Sequence, residues 1–466
     1  MIFIKIFKKE MTNSVKCDII FLLNLKRSVT TMEWYQRSSF YHIYPLGYCG
    51  ALEPNDFTSE PQSRILSIID NIPHIKELGC NAVYFGPVFE SAYHGYDTAD
   101  YTKIDRRLGT NEDFKKVCDA LHENGINVVL DGVFNHVGRE FWAFKDVRNN
   151  RWESKYKDWF HLHDGRSPYG DNFSYDGWEG HFELVKLNLY NSEVKQYIKD
   201  CITGWFKEFG IDGLRLDVAY CLDLNFLKEL HGHCKWLRSD FWIMGETLHG
   251  DYNRWMNPEM CDSVTNYECY KGLYSSFNDM NMFEIAHSLN RQFGKESWCL
   301  YRGKNLYSFV DNHDVSRIAT MLKNKEHLNP IYSLLYTMPG IPAVYYGSEY
   351  GWEGDKKNGD ESLRVKFVKD DDTELTKHIA KLSKFRTESE ALAGGDYKQL
   401  ELHNHDFAFI REYNGEQVVA MINAGEAHTF NVSVAGEFED ILSGEKFDLS
   451  GGVPVPAHSS RVFRKA

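Results

Sequence analysis

No stretch of the 466-residue chain approaches the ~18 consecutive apolar residues that a membrane-spanning helix needs, so no membrane partner is expected. Basic blocks are missing too. Lys and Arg total 53 against 67 Asp and Glu, a net charge of −14, and a nucleic-acid partner would need clustered cations to meet its phosphates. The ten cysteines contain no C-x-x-C pair, and several sit inside apolar or helical runs. The cysteines therefore read neither as a zinc site nor as a disulfide framework, and point to reduced thiols in a reducing compartment, hence the cytoplasm. Internal repeats and low-complexity tracts are absent, which excludes a solenoid.

What the chain does have is aromatic side chains, at 15% of residues with 11 Trp. Flat apolar faces with polar tips suit sugar rings, and they also fill ordinary cores. Eight short apolar runs recur: FYHIYP (40–45), AVYFGPV (82–88), NVVLDGV (127–133), GLRLDVA (213–219), FWIMGE (241–246), SVTNYEC (263–269), LYSFVD (306–311) and PAVYYG (342–347). Near-continuous apolar strings of this length belong to parallel strands buried on both faces. Helical stripes lie between them. Glu112–Asn124 carries Phe114, Val117 and Leu121 before Gly125, and Ser192–Phe209, with Ser192 read as its N-cap, ends at Gly210. The alternation predicts an α/β fold, a (β/α)8 barrel.

The expected organisation has five parts: 1–32, 33–136, 137–190, 191–390 and 391–466. Residues 1–32 start basic and carry a short apolar stretch at Ile19–Leu23. Asn24, Lys26 and Arg27 follow at once with no small-residue cleavage site, so this segment reads as a disordered or spurious extension, with the folded chain starting after Met32. Residues 33–136 and 191–390 form the barrel. The aromatic-rich stretch 137–190 is an irregular insertion after the third strand, and it reads equally as a cover for a site or as a self-packed mini-domain. Residues 391–466 alternate with Gly and Asn turns, as a small C-terminal antiparallel β-sandwich would.

Four strands end in acids: Asp131, Asp217, Glu246 and, just beyond its strand, Asp314. In a parallel barrel these ends share one rim, so acids distant in sequence converge there. Arg215 and Asp217 stand two apart and point the same way, so the cation favours an ionised Asp217, as a nucleophile requires. Glu246 has apolar Ile243 and Met244 before it and no cation nearby in sequence, so desolvation is expected to keep its proton, as a general acid requires. His136 and His313 read either as partners of sugar hydroxyls or as satisfied structural residues.

DGVFNH (131–136), GLRLDVA (213–219), GE (245–246) and FVDNHD (309–314) resemble, in order, the four signature segments of the α-amylase family, glycoside hydrolase family 13. HGYDTADY (94–101), SKYKDWFHLH (154–163) and LVKLN (184–188) are similar to its neopullulanase/cyclomaltodextrinase branch, and the likeness covers residues 33–466. The resemblance implies a retaining glycosidase acting on α-1,4-glucans such as maltodextrins. In it Asp217 is the nucleophile, Glu246 the acid/base and Asp314 the stabiliser of the distorted sugar. Arg215 orients Asp217, Tyr96 stacks on the sugar, His136 and His313 contact it, and Asp131 supports. Asp360 and Arg364 in GDESLR match the family's D-x-x-x-R pair and contact the next glucose.

Tyr220-Cys221 departs from the Lys-His or Asn-Glu found there in the family, which leaves substrate choice and the balance between hydrolysis and transfer open. The rival readings are a 4-α-glucanotransferase and a catalytically inactive carbohydrate-binding homologue. No cofactor is expected. Calcium is not required on this reading but stays open as a ligand, with Asn135 the one matching residue and no acidic partner for it in the insertion. Only the glucan is expected as a partner, and the oligomeric state is not read from the sequence.

Overall fold

The computed structural model describes residues 32–465, so the expectation for the N-terminal extension lies outside the described residues apart from Met32. Eight parallel strands carry the fold: β1 (Phe40–Ile43), β2 (Ala82–Phe85), β3 (Asn127–Gly132), β4 (Gly213–Leu216), β5 (Trp242–Gly245), β6 (Ser263–Val264), β7 (Tyr307–Ser308) and β8 (Ile341–Tyr345). Their order is 6-5-4-3-2-1-8-7, every neighbouring pair is parallel, and a parallel bridge between Thr265 and Tyr307 joins the two ends into a nearly closed (β/α)8 barrel. The interior is packed solid. Phe40, Tyr84, Val129, Trp242, Met244, Tyr307 and Ile341 form one cluster, closed at the lower end by Trp34 and Tyr35. Turns and loops at the upper end are therefore free to build a site.

Every strand is shorter than its apolar run, and two shrink to two residues. In 263–269 the strand stops at Val264, because the Asn266 side chain accepts a hydrogen bond from Cys269 N and opens the helix Tyr267–Asn278. In 306–311 only Tyr307–Ser308 pairs. The helix Ser192–Phe209 keeps its expected span, but its cap is Asn191, whose Oδ1 accepts from Glu193 N at 2.8 Å and Val194 N at 3.4 Å, while Ser192 is already helical. Gly210 ends that helix at φ 69°, a left-handed conformation that favours glycine.

The segment after β3 forms a three-stranded sheet, His136–Gly138, Gly177–Trp178 and His181–Lys186. Phe144, Phe160, Phe173 and Tyr175 pack edge-to-face beneath it. At the C-terminus, β9 (Asp396–Leu402), β10 (Asp406–Tyr413), β11 (Glu416–Asn423), β13 (Glu437–Asp440), β14 (Lys446–Asp448) and β16 (Ser459–Lys465) form a six-stranded antiparallel sheet. A second pair, β12 (His428–Phe430) and β15 (Val453–Val455), lies apart from it. Period-two alternation sorts the residues of β10 and β11. Phe407, Phe409, Val418, Ala420 and Ile422 join the main core, while Ala408, Ile410, Val419 and Met421 meet Phe430, Val453 and Val455 on the other face. Among the described residues no helix is long and apolar enough to cross a membrane, and nine cysteines are free thiols.

Candidate active site

Register places the acids. Arg215 on β4 lies opposite Asp131 on β3 and Met244 on β5. One step further, the backbone N–H of Asp217 bonds Gly132 O and that of Glu246 bonds Leu216 O, so both carboxyls stand on the same rim. All three acids meet the Arg215 guanidinium. Its Nη1 donates to Asp131 Oδ1 at 3.0 Å and Asp217 Oδ1 at 2.9 Å, and its Nη2 lies 2.7 Å from Glu246 Oε1. The expectation that Glu246 has no cation beside it is thus corrected: the cation comes from the neighbouring strand, out of sight along the Glu246 strand itself.

The proton inventory changes with it. Burial pushes the Glu246 carboxyl up, and Arg215 offsets only part of the rise. Burial also pushes Asp217 well above the usual carboxylate range, with Glu246, Asp131 and Asp314 adding to the shift against Arg215. Arg215 faces two carboxyls that burial pushes up, so Asp217 and Glu246 compete for its charge. Arg215 does favour the ionised form of Asp217, as expected, but burial and the neighbouring acids outweigh it. Glu246 Oε2 also accepts from Val218 N at 2.9 Å, whereas Asp217 Oδ2 is buried with no hydrogen-bond partner.

Val218 sits at φ 39°, ψ 48°, a left-handed conformation that costs a β-branched residue of order 1–3 kcal/mol. The turn it forces ends β4 abruptly and points its N–H at Glu246.

His136 Nε2 lies 3.9 Å from Asp217 Oδ2. Burial lowers its pKa to about 3, so the ring is neutral at neutral pH. Its Nδ1 accepts from the Asn135 side chain at 3.1 Å, which leaves Nε2 as a donor facing the gap. His313 is buried, Tyr44 and Tyr96 lie nearly parallel to its ring at 5.7 and 5.6 Å, and Tyr96 OH bonds its Nε2 and reaches Asp131. Asp314, a third exposed, lies 2.9 Å from His313 Nε2 and 2.8 Å from Arg364 Nη2. Burial alone would raise Asp314, but His313 and Arg364 outweigh it and hold the carboxyl well below the usual range. An Asx turn aims it: Asn312 Oδ1 accepts from Asp314 N and Val315 N. Arg364 also holds Asp360 at 2.9 Å, with Lys356 on the far side of Asp360.

A cleft of about 550 Å³ opens over this rim, a size that suits a few sugar rings. Asp217, Glu246, Asp314, Tyr96, His136, Asp360 and Arg364 line it, while Arg215 and His313 stand behind them. Trp178, His181, Glu183 and Leu184 of the insertion form one wall and Tyr220 another, its OH bonded to Glu179 at 3.3 Å. The insertion therefore both packs its own core and walls the cleft. Trp178 and His181 were not singled out by the sequence, since nothing separated Trp178 from the other aromatics around it. Tyr44 went unnoticed inside an apolar run.

Asn135 Oδ1 is buried without a partner.

The family model for the α-amylase catalytic domain matches residues 64–390. A cyclomaltodextrinase of a Bacillus species is 31% identical over 425 residues, spanning 85% of this chain and 74% of its own length. A maltogenic α-amylase of Bacillus acidopullulyticus is 32% identical over 376 residues, spanning 78% of this chain, so the chain covers only 64% of that relative. Among solved structures, the ligand-free cyclic α-maltosyl-(1→6)-maltose hydrolase of Arthrobacter globiformis superposes with a TM-score of 0.80 at 28% identity, covering 93% of this chain and all of its own. With these matches laid over the rim acids and their shared arginine, the chain belongs to the α-amylase family, glycoside hydrolase family 13.

Proposed function

We propose that the protein is a retaining glycosidase that hydrolyses α-1,4-glucosidic bonds of linear or cyclic maltodextrins by double displacement. The single observation that carries this is the pair Asp217 and Glu246 held by the two terminal nitrogens of one guanidinium at the mouth of a sugar-sized cleft. The shared arginine sets both carboxyls on one side of the cleft, and the resemblance to a retaining family supports the shorter of the two spacings known for paired acids, at which one acid attacks the sugar directly. An inverting enzyme needs them farther apart, with a water between.

In the first step Glu246 gives its proton to the glycosidic oxygen as that bond breaks. The unpartnered Oδ2 of Asp217 attacks the anomeric carbon and forms a glycosyl ester. In the second, the Glu246 carboxylate takes a proton from water, the water oxygen bonds the same carbon, and the ester bond returns its electron pair to Asp217. Developing positive charge at the sugar favours an ionised Asp217, which settles the competition for charge when substrate is bound. Asp314, ionised, accepts hydrogen bonds from ring hydroxyls, and His136 Nε2 donates one. Free cysteines support a reducing compartment, the cytoplasm, where imported oligosaccharides would be the substrate.

A product profile on maltotriose, cyclodextrin, pullulan and starch tests the proposal. Glucose and maltose from maltotriose are expected. Oligomers longer than the substrate would replace hydrolysis by transfer, and no product from any of the four would end the reading.

Glu246→Gln should slow maltotriose cleavage by ~10²–10⁴-fold. An aryl maltoside with a good leaving group, which needs no proton, should lose much less. Because the acid must hold its proton, activity falls as pH rises through the Glu246 value, and that alkaline limb should lie above the ordinary 4.5. An equal loss on both substrates would assign the acid elsewhere. Trp178→Ala, which strips an apolar ring from the cleft wall, should raise KM roughly tenfold with kcat little changed. An unchanged KM would make Trp178 a purely structural residue.

A further inference from the structure

Outside the barrel, the C-terminal β region brings three metal-ligating side chains together, two from the end of β9 and the turn after it and the third from β12. Glu401 lies near the end of β9, His403 in the turn to β10 and His428 at the start of β12, and one ligand atom of each lies within 4.8 Å of the others. His428 Nε2 is 3.0 Å and His403 Nδ1 3.7 Å from the same Glu401 Oε1. The two imidazoles meet edge to face at 5.5 Å. A Glu–His pair explains His428 but not His403, which aims a second ring nitrogen at an oxygen already in use.

The surroundings repeat the theme. Asn431 N donates to Glu401 Oε2 at 2.6 Å and fixes the carboxylate. Behind His428, Asp406 Oδ2 lies 3.9 Å from Nδ1, and Asp406 Oδ1 is buried with no partner. A metal-bound imidazole usually directs its other N–H to a carboxylate, which fixes ring and tautomer, and Asp406 stands where that carboxylate would be.

We propose that Glu401, His403 and His428 form a binding site for a borderline divalent transition metal, zinc above all, with water as the fourth ligand and Asp406 orienting His428. Two neutral imidazoles and one carboxylate match zinc and match poorly the all-oxygen shells of calcium or magnesium. His403 is exposed, so the metal has an entry path. The role is structural. The ion would clip the turn between β9 and β10 to β12, and Asn404 O in that turn accepts Met282 N at 2.8 Å, the N-cap of the barrel helix Phe283–Phe293. The clip would thus reinforce the contact between sheet and barrel without touching the rim.

The test is calorimetric titration of the EDTA-treated full chain with zinc chloride, paired with thermal unfolding, for wild type, His403→Ala and Glu401→Gln. Wild type should bind one equivalent that His403→Ala binds at least about tenfold more weakly, and zinc should raise its Tm by several degrees. Both variants should lose the rise. In EDTA the exposed His403→Ala should melt with wild type, which shows that the variant folds, and its hydrolytic rate should be unchanged. Equal zinc affinity in all three proteins, or no saturable binding of wild type up to about 100 µM, would overturn the proposal.

Discussion

Asp217→Asn is expected to lower kcat/KM on maltotriose by ~10⁴-fold or more while leaving substrate binding within a few-fold of wild type. The amide matches the carboxylate in shape, and its oxygen can still accept from Arg215 Nη1, which now sits 2.9 Å from Asp217 Oδ1. What disappears is the electron pair that forms the ester. Trp178 in the cleft gives a fluorescence signal for binding, so KM-like and turnover effects separate. Stability gives a second, independent readout. The folded state holds the Asp217 proton more tightly than the unfolded chain does, because burial and three neighbouring acids raise it. That contribution is complete below the unfolded value near 3.9 and is lost as pH rises through the folded value. Asparagine has no proton to lose, so the variant's Tm should equal or exceed that of wild type, most clearly at pH 8. Mass spectrometry adds the chemical test: acid-quenched Glu246→Gln, turning over a maltosyl fluoride, should carry a glycosyl adduct on the peptide containing Asp217. Activity of Asp217→Asn within tenfold of wild type would place the nucleophile elsewhere.

How far the site was legible depends on where each partner lies along the chain. Asp131, Arg215, Asp217 and Glu246 announced themselves because a barrel strand is a short apolar run, and a charge at its upper end has few structural reasons to be there. The neighbours of those charges were not legible. Glu246 reads as lacking a cation along its own strand, yet the parallel register between β4 and β5 sets Arg215 against Met244 and brings Nη2 to 2.7 Å. Register is a property of two strands, and the sequence of one does not state it. The same holds for His313, whose ring neighbours, Tyr44 and Tyr96, follow β1 and precede the third strand. Absence of C-x-x-C spacing led away from metals, whereas Glu401, His403 and His428 meet only once the C-terminal strands pair. Trp178 had no distinguishing signal among the aromatics of its insertion, because whether an aromatic packs inward or walls a cleft is set by the turn before His181, not by its neighbours in sequence.

Arg215→Gln should destabilise the fold by about 3–5 kcal/mol at neutral pH, more than a typical single substitution. The guanidinium is buried, and it is the shared counter-ion of Asp131, Asp217 and Glu246 at 3.0, 2.9 and 2.7 Å. Without it three carboxyls lie together out of water, and Tyr84 and Tyr96 offer hydroxyls only to Asp131. Acid should relieve the defect. Arg215 lowers Asp217 and Glu246 in the wild type, so its loss moves both further up. A carboxyl raised in the folded state favours folding fully below its unfolded value, about 4, and ceases to do so as pH rises through the folded value. The Tm difference between wild type and Arg215→Gln should therefore be small near pH 4 and widen steadily towards pH 8. Arg215→Lys separates charge from shape. It returns a cation and should recover much of the stability, but an ammonium cannot hold Asp217 and Glu246 on two coplanar nitrogens, so kcat should still fall by ~10²-fold. If Arg215→Gln melted with wild type from pH 5 to 8, the three acids would not depend on this arginine. If Arg215→Lys turned over at the wild-type rate, its planar fork would not be what spaces the catalytic pair.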